Sequence, residues 1–219
     1  PGTVQEVLDY GRLGFEMSRY AGSWSALKLV TNVADAYTSV KVGPGRVMVS
    51  RPEWEFEGKP WAHTQEDLFI GAGSVAMERE QYAGRLPAAE QWIAHNRLNY
   101  STVPTSDATL GIVAAGKTYY DVRAAFDKLG LSDYELQRRG IRIFKPTVIW
   151  PLEPTSLVEF AAGLDTIVVI EEKRGFIESQ VKSILYGVTN APQVLGKRTA
   201  TGDYWFPGHG EMDTDLVVG

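Results

Sequence analysis

The run Gly111-Ile112-Val113-Ala114-Ala115-Gly116-Lys117-Thr118 fits the G-x-x-x-x-G-K-[ST] pattern, in which a glycine-rich loop wraps phosphates and a lysine reaches them. Further on, Ile167-Val168-Val169-Ile170-Glu171-Glu172 is an apolar strand ending in acids of the kind that hold Mg2+ in nucleotide hydrolases. Nucleotide hydrolysis is therefore one chemistry to weigh. Against it, Ile112 to Ala115 are strand material, whereas the preceding Ser106-Asp107-Ala108-Thr109 is not. The apolar register runs the strand through the supposed loop and takes away the amides a phosphate needs. A weaker chemistry survives there: Gly116 at a strand-to-helix turn leaves helix amides that, with Lys117, could hold a phosphate or carboxylate. The plain alternative is that Gly116 only makes the turn and Lys117 is solvated.

Glu171-Glu172-Lys173-Arg174 stands at the carboxyl end of an expected strand, the edge where open parallel sheets place their sites. The acids also favour the positive end of the next helix. Paired catalytic carboxylates need a cleft that the sequence does not demonstrate. The charged run therefore reads first as an ion-pair cluster at a domain contact. His63, His95 and His209 stand apart from one another and from carboxylates at metal-ligand spacing. With no cysteine, this stretch holds no disulfide, thiolate zinc site, cysteine nucleophile or Cys-ligated cluster. Gly-x-Ser-x-Gly and Gly-x-Gly-x-x-Gly are absent as well. Gly116, Lys117, Glu171, Glu172, Lys173 and Arg174 remain as anion-binding or interface candidates. No residue stands out as catalytic, cofactor-binding or metal-ligating.

These candidates need a sheet to position them, and residues 107 to 200 read as an α/β domain. Leu110 to Ala115, Ile141 to Val148, Thr166 to Glu171 and Val194-Leu195 are expected strands. Between them lie expected helices over Thr118 to Leu129, Pro154 to Ala162 and Phe176 to Tyr186, stopping at or near Gly130, Gly163 and Gly187. Such alternation implies βαβ crossovers and a small parallel sheet with helices on both faces.

Upstream, residues 1 to 50 suggest two helices, one behind Thr3 with Glu6 three residues on, the other carrying Trp24, Leu27, Leu29, Val30 and Val33 behind Ser23. A short strand over Arg46 to Ser50 follows. Residues 51 to 106 read as a long connector with one helix from about Pro87 to His95. Its aromatics Trp54, Phe56, Trp61 and Phe69 are expected to pack against a neighbour. Residues 201 to 219 form a carboxyl-terminal extension.

The chain has 219 residues, 44% hydrophobic, with a net charge of −5. Such a composition belongs to a globular protein and makes nucleic acid an unfavourable partner. No apolar run approaches the roughly 18 residues of a membrane span, and the start lacks the pattern of a signal peptide. A cytoplasmic location is the default expectation. The chain begins without Met and enters a helical pattern at once, which reads as a segment of something longer.

Specific strings resemble the indolepyruvate ferredoxin oxidoreductase family: Leu110 to Tyr119, Thr147-Val148-Ile149-Trp150-Pro151-Leu152-Glu153-Pro154, and Ile167 to Arg174. Gly196-Lys197-Arg198, Phe206-Pro207-Gly208-His209-Gly210-Glu211 and Val4-Gln5-Glu6-Val7-Leu8-Asp9-Tyr10-Gly11 look like the same enzymes. The resemblance covers nearly the whole chain. It implies oxidative decarboxylation of aryl 2-oxoacids such as indolepyruvate by an enzyme that uses thiamine diphosphate and Mg2+. Electrons then pass through 4Fe-4S clusters to ferredoxin. It also implies that residues 107 to 200 are transketolase C-terminal-like, and that residues 1 to 50 are the tail of the domain gripping the aminopyrimidine ring. The partners it implies are the remaining domains or subunits of the enzyme, assembled as a homodimer. The family's Gly-Asp-Gly motif with its downstream Asn is missing, Gly202-Asp203-Tyr204 being no substitute, and so are the cluster cysteines. No catalytic residue transfers to this chain. Two other readings compete, a nucleotide hydrolase and a stand-alone interaction module docking through its Trp-rich connector.

Overall fold

The computed structural model describes residues 1–65 and 70–219, so the expectation for Phe69 lies outside the described residues. Two units result, Val4–Arg97 on one side and Leu98–Gly219 with Pro1–Thr3 on the other.

The first unit opens with helix α1 (Val4–Ala21), which bears an acid in its first turn and Arg19 in its last, in keeping with the helix dipole. Gly22 ends it at φ +72, where a Cβ would also meet the His63 ring at 2.4 Å. The second expected helix shrinks to α2 (Thr31–Ala34). Trp24, Leu27 and Leu29 are exposed, and an apolar face without a packing partner does not hold a short helix. The expected strand over 46–50 is likewise not formed. Ser50 instead pairs with a side chain: its amide donates to Asn96 Oδ1 at 2.9 Å, and Asn96 Nδ2 donates to its carbonyl at 3.0 Å.

Strands β1 (Glu55–Phe56) and β2 (Lys59–Pro60) make a hairpin whose turn residues Glu57 and Gly58 both have positive φ. Trp54 and Trp61 meet edge-on at 5.1 Å, and Trp61 Nε1 donates to Tyr20 O at 2.8 Å. Helix α3 (Ala72–Glu80) runs through a π turn (Gln81–Arg85) into α4 (Leu86–His95). The helix expected from Pro87 is thus the last part of a longer helical run. A proline lacks the N–H that an uninterrupted α-helix would use, and the wider turn sits just ahead of it.

The second unit holds a five-stranded sheet. Strand β3 (Asn99–Val103) is followed by β4 (Leu110–Val113), α5 (Gly116–Lys128), α6 (Asp133–Arg138) and β5 (Ile141–Pro146). Then come α7 (Pro154–Ala161), β6 (Thr166–Val169), α8 (Ile177–Leu185), β7 (Gln193–Leu195) and α9 (Thr214–Val218). The spatial order is β3-β5-β4-β6-β7. Strands β5, β4, β6 and β7 are parallel, as expected, and Leu110 lies opposite both Ile141 and Thr166. The edge strand β3 is antiparallel to β5 and occupies residues expected to be connector. Gly130, Gly163 and Gly187 follow their helices at φ +71, +79 and +80.

Side chains alternate between the two faces of the sheet, as the strand period demands. Val113, Phe144, Ile167 and Val169 join α7 and α8 in one core. Ile112, Ile143 and Val168 join α5 and α6 in the other, together with Phe206 and Met212. The expected extension is therefore core material: Phe206 and Met212 are buried, and α9 is tied to α5 by a Lys128–Asp215 ion pair at 2.5 Å.

Candidate functional site at the carboxyl edge of the sheet

Central strands β4 and β6 are neighbours, yet β4 feeds α5 on one face and β6 feeds α8 on the other. Between their carboxyl ends lies the topological switch point, where parallel α/β sheets open a crevice. Gly116 and Lys117 stand at the start of α5, and Glu171 to Arg174 on the loop after β6.

The apparent phosphate loop begins inside strand β4 and ends in the first turn of α5. Gly111 lies within β4, Val113 and Ala114 are fully buried, and a Cβ at 111 would meet Leu164 at 2.5 Å and Phe160 at 2.8 Å. Gly111 thus gives helix α7 and its neighbouring loop room to approach the sheet. Gly116 begins α5 at φ +55, with Pro1 and Gly2 packed beside it. Lys117 Nζ reaches Asp121 Oδ2 at 3.0 Å, Glu211 Oε1 at 3.2 Å and Met212 O at 2.7 Å. Burial disfavours its charge, but hydrogen bonds to the two carboxylates hold the ammonium above the ordinary lysine value. Burial pushes the Asp121 carboxyl up despite Lys117, with Glu172 and Glu211 adding to the rise.

Glu171 is 7% exposed and accepts from three amides at the start of α8: Phe176 at 3.0 Å, Ile177 at 2.8 Å and Glu178 at 2.9 Å. It serves as that helix's cap from the preceding loop, satisfying orphan donors at its positive end. Burial outweighs these bonds and raises its pKa. Glu172 accepts from the Met212 amide at 3.1 Å, and Lys173 Nζ donates to Gly210 O at 2.5 Å. Arg174 is exposed. The charged run expected to pair within itself instead reaches outward, two members to the carboxyl-terminal segment and one to a helix end.

Sequence reasoning missed the other half of the site. Lys197 Nζ donates to Glu171 O and to Pro207 O, the latter at 3.1 Å, and burial pushes its pKa down against the pull of Glu171 and Glu178. Glu178 accepts from Lys182 at 2.5 Å and from the Lys197 amide at 2.9 Å. Burial works against its charge, but these bonds win and lower its pKa. A Cβ on Gly196 would lie 2.4 Å from this carboxylate. The i,i+4 spacing of Lys117–Asp121 and Glu178–Lys182 was a legible signal. Nothing local tied Lys197 or Met212 to the switch point.

Every interaction named for Glu171, Glu172, Lys117, Lys173 and Lys197 thus ends on a group of this chain. Among the described residues no group of three His, Cys, Asp or Glu side chains is placed to hold a metal ion. No described helix is long and apolar enough to cross a membrane. An open pocket lined by Pro104, Asp107, Tyr134 and Arg138 lies at the other end of β4, away from this edge.

A family model described as Indolepyruvate oxidoreductase domain matches residues 101–218, which take in the whole sheet apart from the first residues of β3. The chain belongs to that family. Subunit IorA of indolepyruvate oxidoreductase from Archaeoglobus fulgidus is 25% identical over 195 residues, covering 87% of this chain and 29% of that protein. The same subunit from Pyrococcus horikoshii is 25% identical over 189 residues, covering 83% and 26%. The chain therefore spans less than a third of the length of these relatives. Among solved structures, a 2-oxoglutarate:ferredoxin oxidoreductase from Magnetococcus marinus matches 72% of this chain and 25% of its own at 17% identity, with a TM-score of 0.40. A split gene transketolase matches 54% and 38% at 21% identity, with a TM-score of 0.37.

Proposed function

We propose that this chain is a noncatalytic structural and interface segment of a thiamine-diphosphate-dependent indolepyruvate (aryl 2-oxoacid):ferredoxin oxidoreductase that carries out oxidative decarboxylation. Family membership and the fraction of the IorA subunits covered support a piece of a larger enzyme. The observation that carries the noncatalytic role is that Glu171, buried at the switch point, spends both carboxylate oxygens on the first amides of α8. A carboxylate placed in this way satisfies the orphan donors at a helix end.

The residues present do not fit the cofactors of such an enzyme. A 4Fe-4S cluster takes thiolates, and the chain has no cysteine. A Mg2+–diphosphate pair takes several free oxygen ligands, whereas both Glu171 oxygens accept helix amides and, among the described residues, no group of three His, Cys, Asp or Glu side chains is placed to hold a metal ion. Thiamine diphosphate, Mg2+ and the clusters accordingly belong to other domains, and no chemical step is assigned to this chain. In this reading residues 1 to 50 end the aminopyrimidine-gripping domain, residues 51 to 106 connect, and residues 107 to 200 form the transketolase C-terminal-like core. The partners are the remaining domains or subunits in a cytoplasmic homodimer, with ferredoxin as acceptor. Exposed Phe15, Trp24, Tyr37 and Met48 in the first unit support further contacts there.

The test supplies the purified chain with thiamine diphosphate, Mg2+, indolepyruvate and an artificial acceptor. No acceptor reduction is expected until the remaining domains are added. Reduction that scales with this chain alone and depends on added cofactor would make it a catalytic unit.

A further inference from the structure

The switch-point crevice is filled, and its occupant is the chain's own carboxyl-terminal segment. Met212 straddles it: its carbonyl accepts from Lys117 in the first turn of α5, and its amide donates to Glu172 on the loop after β6. Lys173 and Lys197 hold Gly210 O and Pro207 O of the same segment. Three lysines, one in the first turn of α5 and two from the loops after β6 and β7, thus grip main-chain carbonyls at 207, 210 and 212. Phe206 and Met212 anchor the two ends in the core, while Gly208 to Glu211 between them are exposed. Lys173 holds its carbonyl from a left-handed backbone at φ +58, a conformation that costs a non-glycine residue free energy.

We propose that residues 207–211, between the buried anchors Phe206 and Met212, are a displaceable strap, a self-ligand whose release uncovers the carboxyl edge of β4 and β6. The grip is made of polar bonds between a solvent-facing loop and lysines, and such bonds open locally at lower free energy than a buried sheet.

Hydrogen exchange on the full chain tests this, comparing peptides over 205–213 with peptides over 110–114 and 166–170. In the unmodified chain the strap amides are expected to exchange at least about tenfold faster than the strand amides. Lys117→Met removes a charge-assisted bond and should speed the strap by about tenfold more, with the strands unchanged. Lys173→Gly relieves the strained backbone while removing its grip, so the fold is retained; it should accelerate the strap alone. Strap and strand amides exchanging at one rate, or accelerating together in either variant, would make the segment a fixed part of one cooperative unit and overturn the proposal.

Discussion

A single missing methyl group decides what the Gly111 to Gly116 pattern is for. A Cβ at 111 would sit 2.5 Å from Leu164 Cδ1, inside a packed core. Gly111→Ala is therefore expected to destabilise the chain by about 1–3 kcal/mol in urea unfolding, through overpacking and not through any lost ligand. Two carboxylates at the sheet edge carry opposite pH signatures. Asp121 has its folded pKa raised by burial, so its stabilising contribution is full below its unfolded pKa and is lost as pH rises through the folded one. Glu178 is also penalised by burial, but Lys182 and the Lys197 amide lower its folded pKa. Its contribution is present above the unfolded pKa and is lost as pH falls through the folded value. Relative to the unmodified chain, Asp121→Asn should gain stability as pH rises through the carboxylate range, whereas Glu178→Gln should lose it. Thermal midpoints measured at matched pH values check the two slopes, and parallel slopes would contradict the assignment.

At the scale of elements, the aromatic hairpin shows where the Trp-rich connector spends its side chains. Trp54, Phe56 and Trp61 pack on one another, and Trp61 lies against Gly84 in the π turn. On helix propensity alone Gly84→Ala would stabilise by up to about 1 kcal/mol. A Cβ there would lie 2.9 Å from the Trp61 ring, so the expected sign is the reverse: a loss of about 1 kcal/mol with a shift in tryptophan emission. A stabilised variant with unchanged emission would free these rings for another partner.

For the whole molecule, the two units differ in how completely they cover their apolar surface. The sheet of the second unit has helices and its own core on each face. Residues 98–219 expressed alone should therefore unfold cooperatively in urea, with near-UV circular dichroism lost in the same transition. The first unit exposes Phe15, Trp24, Tyr37 and Tyr82. Residues 4–97 alone should bind a hydrophobic dye and self-associate as concentration rises, as analytical ultracentrifugation would show.

The parallel strands and their crossover helices were legible because their signals are local: apolar runs of strand length, helical spacing between them, and glycines at φ near +70 to +80 closing three helices. The same signals placed the candidate residues on the right edge of the sheet. Local pattern failed where stability comes from elsewhere. Trp24 to Val33 has a helical pattern but little to pack on in this chain, and Asn99 to Val103 became a strand only because β5 offers it a free edge. The expected extension entered the core because Phe206 and Met212 find partners in β4, β5 and α5, far away in the sequence. Sequence by itself determined which residues are charged and at which strand end each sits. Tertiary structure alone decided their long-range partners, because the groups that Lys117, Glu172 and Lys173 bind at Gly210 and Met212 lie 37 to 95 residues further on, brought back by burial of two side chains.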